Sequence, residues 1–185
     1  MIITISGLPG AGKTTVGRLL AARLGYEFFS VGELRGRFAM ERGLTIDKLN
    51  ELGEKQDWTD TKADEYTKNF AEGRDRLVVE GRLAFYVIPR SFKIFLEVDP
   101  RTGAERVFND HRPDEYGKET VEETMRNIEK RVRSDDARYR KIYGIDFLDR
   151  KQYDLVIDTT KLTPQQVAER ILERIRGKDT IKKRG

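Results

Sequence analysis

The sequence predicts an α/β fold, a P-loop three-layer sandwich in which helices flank a five-stranded parallel sheet. Three observations carry that expectation. A glycine-rich run, Gly7-Leu8-Pro9-Gly10-Ala11-Gly12-Lys13-Thr14, joins a strand-like segment to a helix-like one. Short β-branched runs then alternate with helical periods along the chain, as parallel sheets with crossover helices require. At 185 residues without internal repeat or low-complexity linker, one domain spanning residues 1–185 is expected.

Met1-Ile2-Ile3-Thr4-Ile5 is the first strand, apolar enough to be buried on both faces. Thr15 to Leu24 carries Val16, Leu19, Leu20 and Leu24 at helical spacing and stops at Gly25. Glu27-Phe28-Phe29-Ser30 is a second strand, and Val31 to Arg42 a helix. Thr45 caps a helix running to Leu52, and Asp57 to Glu72 is polar and helix-compatible. Arg76 to Gly81 is a buried strand ending in an acid, and Ser91 to Val98 another, stopped by Asp99-Pro100. A helix from about Thr102 to Asp110 precedes an irregular stretch, His111 to Gly117. Glu119 to Tyr143 is a long charged helix, and Asp154 to Asp158 the last strand. Thr163-Pro164 opens a final helix to about Arg176, with an N-cap followed by proline at the first helical position. The basic tail, Gly177 to Gly185, is expected to fray.

The glycine-rich run satisfies the G-x-x-x-x-G-K-[ST] phosphate-cradling pattern in its required strand–helix setting. Gly10 and Gly12 permit backbone geometry and close approach that a side chain would block. Successive N–H groups and the helix N-terminus then face phosphate oxygens. Lys13 reaches the β- and γ-phosphates, the Thr14 hydroxyl ligates Mg²⁺, and Gly7, Leu8, Pro9, Ala11 and Thr15 complete the ATP cradle. Glu80 ends a hydrophobic strand and is a second Mg²⁺ candidate, with Glu97 and Asp99 as competing acids.

Bulk composition narrows the alternatives. No cysteine is present, which excludes disulfides, thiol catalysis and Cys-based zinc sites. One histidine, His111, rules out a His-cluster metal site and reads as a surface residue. No apolar run is long enough to span a bilayer, and no secretory pattern is present. With Met1 opening directly onto a strand, no targeting peptide is expected, and the cytoplasm is the expected location. Charged residues make up 37% of the chain at a formal net charge of +4. That mixture fits a surface dense in ion pairs, common in heat-adapted proteins, together with an arginine-rich cleft for polyanions.

A guanine-selecting Asn-Lys-x-Asp motif is absent, and the chain is short for a motor domain. Instead, arginines follow the candidate strands: Arg35 after Ser30-Val31-Gly32, and Arg82 after Glu80-Gly81. Arg131, Asp135 and Arg138 are spaced four and three apart, which puts them on one helix face. Their alternative role is an intrahelical salt bridge. An enzyme that brings two anionic phosphates together needs several cations beyond the loop lysine.

These stretches resemble the nucleoside monophosphate kinases, and most closely the archaeal-type cytidylate kinases. The resemblance rests on Gly7 to Thr14, Ser30 to Arg35, Val79 to Ala84, and Arg131-x-x-x-Asp135-x-x-Arg138, with Tyr143 to Asp146 and Tyr153 to Asp158. It implies an ATP-binding core, an inserted monophosphate-binding segment over about residues 31–62 and a lid over about 110–120. It also implies that Arg35 and Arg82 hold the acceptor phosphate, and that Arg131 reaches the transferring phosphoryl group or the acceptor. Asp135 would contact the ribose hydroxyls, and Arg138 the cytosine edge or the acceptor. Arg106 would stack on the adenine of ATP, and Arg112 would be a lid cation. A cytosine pocket needs an acid paired with a basic donor, for which Asp60 and Asp64 with Lys62 are candidates. Leu83 and Val132 stand where bacterial cytidylate kinases have an Asp and often an acid.

The expected reaction is transfer of the γ-phosphoryl group of Mg·ATP to CMP or dCMP by a monomer, without a general base. The rivals are another nucleoside monophosphate or a small metabolite as acceptor, a bare ATPase, and a nucleotide-dependent RNA-binding protein using Lys178 to Arg184. No stable nucleic-acid partner is expected, because the chain carries no aromatic-rich RNA motif.

Overall fold

A computed structural model of the chain describes residues 1–110 and 120–182. Its elements are β1 (Ile2–Gly7), α1 (Lys13–Leu24), β2 (Glu27–Ser30), α2 (Val31–Met40), α3 (Ile46–Lys55) and α4 (Trp58–Ala71). They continue with β3 (Leu77–Glu80), α5 (Ala84–Val87), β4 (Phe92–Glu97), α6 (Pro100–Asn109) and α7 (Val121–Tyr143). A 3₁₀ turn (Arg150–Gln152), β5 (Leu155–Asp158) and α8 (Pro164–Lys182) complete the described chain.

The strands form one five-stranded sheet in the order β2-β3-β1-β4-β5, and every pairing is parallel. All six residues of β1 are buried, as its central position demands. Alternate side chains serve opposite faces. Ile3, Ile5 and Val78 pack with Val16 and Leu20 of α1 and Val167 and Ile171 of α8. Ile2, Leu77 and Val79 pack with Leu34 and Phe38 of α2, Leu49 of α3 and Ala63 of α4. A third cluster seats Phe95 of β4 and Phe85 of α5 with Tyr139 of α7, Phe147 and Tyr153. Helices on both faces make three layers, and each fully buried isoleucine contributes about 1.5–3 kcal/mol.

Several boundaries differ from the sequence reading. The first strand extends to Gly7, which registers with Leu96, and α1 begins two residues earlier, at Lys13. Thr45 does cap its helix, its Oγ1 accepting from Lys48 N at 3.2 Å, but that helix continues to Lys55. The short α5 has no counterpart in the sequence reading. The last helix continues to Lys182, where a frayed tail from Gly177 was expected. Gly177 does not take the left-handed conformation that ends helices, so nothing stops α8 there. The expected lid, with His111 and Arg112, falls on 111–119 outside the described residues, as does the tail at 183–185. Among the described residues, no helix is long and apolar enough to cross a membrane.

Candidate active site

Gly7 to Gly12 leave the carboxyl end of β1 and fold over the start of α1. Gly10 has φ +75° and lies so close to α6 that a Cβ there would meet Gly103 O at 2.3 Å. Only glycine fits that approach. Gly12, also left-handed at φ +80°, is the N-cap of α1 and offers no side-chain cap. No acidic residue sits in the first turn. The N–H groups that capping side chains usually occupy therefore remain for an anion. Lys13 Nζ donates to Leu8 O at 2.8 Å, which folds the amine back across the loop.

Two groups outside the motif hold this loop from behind. Thr159, just past β5, is buried; its Oγ1 lies 3.2 Å from Ala11 O and 2.9 Å from Glu97 O. Arg106 of α6 donates from Nη1 to Gly10 O and Thr159 Oγ1, both at 3.3 Å. Its Nη2 donates to Thr159 O at 3.0 Å and Thr160 O at 3.1 Å. Hydrogen bonds of a guanidinium lie in its plane, so none of these four occupies a flat face.

Glu80 ends β3 beside the last residue of β2, registered with Ser30. Its buried carboxylate accepts from Ser30 Oγ at 2.6 Å, while the same hydroxyl oxygen accepts from Glu33 N and caps α2. The two competing acids are committed elsewhere. Asp99 caps α6 through Thr102 N at 3.0 Å, and Glu97 is ion-paired with Arg150.

Opposite the loop, charges alternate through the space between α2, α4, α7 and the end of β3. Arg35 Nη1 donates to Asp60 Oδ1 at 2.6 Å and to Thr59 O at 2.9 Å; its Nη2 donates to Asn50 Oδ1 at 3.0 Å. Asp60 Oδ2 accepts from Arg138 Nε at 3.0 Å, and Arg138 Nη2 donates to Asp135 Oδ1 at 2.5 Å. The other Asp135 oxygen pairs with Arg82. Asp60, Asp135 and Arg138 are only 3%, 1% and 5% exposed, so little water screens this chain of ions. Burial, and then repulsion from Arg131, Arg35 and Arg138, pull the Arg82 guanidinium down to about 9. It is still cationic at neutral pH. Crowded cations of this kind gain most from a dianionic ligand.

Asp64 lies one turn beyond Asp60 and accepts from Tyr143 Oη at 2.5 Å. Burial raises its carboxyl to about 6, a shift moderated by the Tyr143 hydrogen bond. Lys62 sits over the ring of Phe38, 5.3 Å from its centroid, and does not line the cleft.

All these groups converge. One cleft of about 2020 Å³ is lined by Pro9 to Thr15, Arg35, Asp60, Asp64, Glu80, Arg82, Arg106, Arg131, Asp135 and Arg138. Gly7 and Leu8 do not line it, and neither do Lys62, Glu97 or Asp99. The sequence reading gave Thr159, Ser30, Asn50 and Tyr143 no role in the site, although Ser30 and Tyr143 fall in the stretches that carry the resemblance; each acts through a contact with another segment.

A glycine loop at a helix N-terminus, opening on an arginine-lined crevice at the carboxyl ends of a parallel sheet, defines the fold and site of a P-loop kinase. The chain belongs to the cytidylate kinase-like family, whose model matches residues 2–161. A cytidylate kinase from Natronomonas pharaonis is 39% identical over 90% of this chain and 85% of its own length. One from Methanocella arvoryzae is 37% identical over 99% of both chains. An S-adenosylmethionine-dependent nucleotide dehydratase from Lacinutrix mariniflava is 35% identical over 98% of this chain, which spans only 37% of that protein. In fold, the chain is similar to shikimate kinase from Acinetobacter baumannii, with a TM-score of 0.63 at 22% identity over 96% of this chain and 93% of that one.

Proposed function

We propose that this chain is a cytidylate kinase, transferring the γ-phosphoryl group of Mg·ATP to CMP or dCMP to give ADP and CDP or dCDP. The observation that carries the reading is one cleft joining the Lys13 loop to a buried arginine–carboxylate array on the far wall. A phosphate oxygen of the acceptor attacks the γ-phosphorus as the bond from that phosphorus to the β,γ-bridging oxygen breaks. The loop N–H groups and Lys13 hold the donor phosphates. Arg35 and Arg82 hold the acceptor phosphate, and Arg131 meets the charge that develops between the two. The acceptor is already an anion, so no general base is required. Arg106 lines the cleft with its hydrogen bonds in the guanidinium plane, which suits adenine stacking, with Thr159 fixing the loop behind it.

The donor set also fits Mg²⁺. Thr14 and Glu80 both line the cleft with oxygen ligands, and among the described residues no cluster of three or more His, Cys, Asp or Glu could hold a metal alone. Few protein oxygens, with phosphate and water completing the shell, is the usual arrangement for Mg²⁺. When bound, the ion neutralises charge on the β- and γ-phosphates.

Two substitutions separate the halves of the cleft. Arg138→Ala raises the KM for CMP about 10- to 100-fold and that for ATP far less, because Arg138 orders the acceptor wall. Equal effects on both substrates contradict that role. Thr159→Val raises the KM for ATP about 10-fold with the KM for CMP unchanged, by releasing Ala11 and Arg106. Steady-state kinetics with each substrate varied in turn reads both.

A further inference from the structure

Resting on the cytidylate kinase reading, we infer that Asp64, held by Tyr143, is the group that selects an amino-bearing pyrimidine acceptor over its keto counterpart. The acids that line the cleft differ in what their oxygens already hold. Asp60 has Oδ1 on Arg35 and Oδ2 on Arg138, and Asp135 has one oxygen on Arg138 and the other on Arg82. Each oxygen of both is ion-paired with an arginine. Glu80 is bonded to Ser30 beside the phosphate loop; Glu33 is exposed and paired with Arg18, Glu54 is exposed and accepts from Ser134, and Glu51 and Asp110 are exposed as well. Asp64 differs from all of these. It is partly buried, lines the acceptor half of the cleft, and commits only Oδ2, to Tyr143. Its Oδ1 takes no hydrogen bond or ion pair from any described residue.

Tyr143 makes that oxygen directional. Its hydroxyl donates to Oδ2, and its ring packs on Tyr86 at 5.4 Å between centroids, so the carboxylate is fixed from α7. Burial pushes the Tyr143 hydroxyl above its ordinary range, so it remains a donor at all working pH values. An ionised Asp64 Oδ1 accepts from the exocyclic amino group of cytosine and repels the carbonyl that uracil presents at the same position. Tyr143 is a positioning residue and need not touch the base.

The same geometry makes the selectivity depend on pH. The charged and titratable groups facing Asp64 are Asp60 of its own helix, Arg35 of α2 and Tyr143 of α7. Burial and Asp60 raise its carboxyl to about 6, against the lowering effect of Tyr143 and Arg35. Above that value Asp64 is ionised and reads the amino group. Below it, the protonated acid donates, and the uracil carbonyl becomes an acceptable partner.

The test is the ratio of kcat/KM for CMP to that for UMP, measured between about pH 5 and pH 8 for the wild type, Asp64→Asn and Tyr143→Phe. Phosphate titration is common to both acceptors and cancels in the ratio. The wild-type ratio falls about 10-fold between neutral pH and pH 5. Asp64→Asn lowers it about 10- to 100-fold at pH 8 and removes its pH dependence. Tyr143→Phe moves the fall to higher pH, because the hydrogen bond it removes lowers the Asp64 value. A purely structural role would change both acceptors alike and leave the ratio where it was. Asp64→Asn with the wild-type ratio overturns the inference while leaving the kinase reading intact. Should Asp64→Asn not fold, a Tyr143→Phe profile identical to the wild type overturns it equally. A wild type that turns over neither acceptor overturns the kinase reading and this inference together.

Discussion

Lys13→Ala lowers kcat by ~10²–10³-fold or more and leaves the protein folded, because a preorganised cation facing transferring phosphates is worth about that much. The lysine sits in the first turn of α1 and donates to Leu8 O within the loop. The loop is held independently, by Leu8 N donating to Leu96 O at 3.0 Å and by Arg106 and Thr159 at Gly10 and Ala11. Those ties remain when the amine is removed, and the expected cost in stability is about 0.5 kcal/mol. Kinetics and a thermal melt on the same preparation read both halves. Near-normal turnover would remove the phosphate-loop mechanism, and a collapsed melt would show that Lys13 is structural.

Asp60→Ala has the largest expected effect on stability. Asp60 is 3% exposed and is the bridge between Arg35 of α2 and Arg138 of α7, at 2.6 and 3.0 Å. Breaking a buried pair from one side costs about 3–5 kcal/mol, since Arg35 is left without its paired carboxylate and Arg138 keeps only Asp135. For a chain of this size that corresponds to a loss of roughly 6–20 °C in melting temperature. Asp60→Asn, which keeps the shape and some hydrogen bonding, loses less. Denaturant unfolding compares the two. A change below about 1 kcal/mol for the alanine variant would mean that water or a rearranged arginine already satisfies this part of the cleft.

The phosphate half of the site is legible in the sequence because its chemistry is local. Eight consecutive residues carry the loop, and the flanking strand and helix announce themselves by β-branched and 3.6-residue patterns. The acceptor half is legible only in part. Spacing puts Arg131, Asp135 and Arg138 on one face of α7, and the intrahelical Arg138–Asp135 pair indeed forms. The same Arg138 also binds Asp60, 78 positions away, a contact that periodicity cannot reveal. The salt-bridge reading of that helix face holds, and the same face also lines the cleft. The roles of Tyr143 and Thr159 are hidden for the same reason, since each matters through hydrogen bonds to distant segments. Lys62 was grouped with Asp60 and Asp64 by proximity along the chain, yet its position on α4 sends it to the ring of Phe38. The four residues of α5 are too few to show a helical period, and Gly177 reads as a stop only where the backbone turns left-handed.

The central claim is that the arginine array receives a cytidine monophosphate and that the loop delivers a phosphoryl group to it. The direct measurement is ADP release with Mg·ATP and each of CMP, dCMP, UMP, AMP and GMP, beside a control without acceptor. Turnover with CMP and dCMP well above every other acceptor and above the control is the predicted result. Turnover that is the same with and without acceptor, or absent with all five, would contradict it.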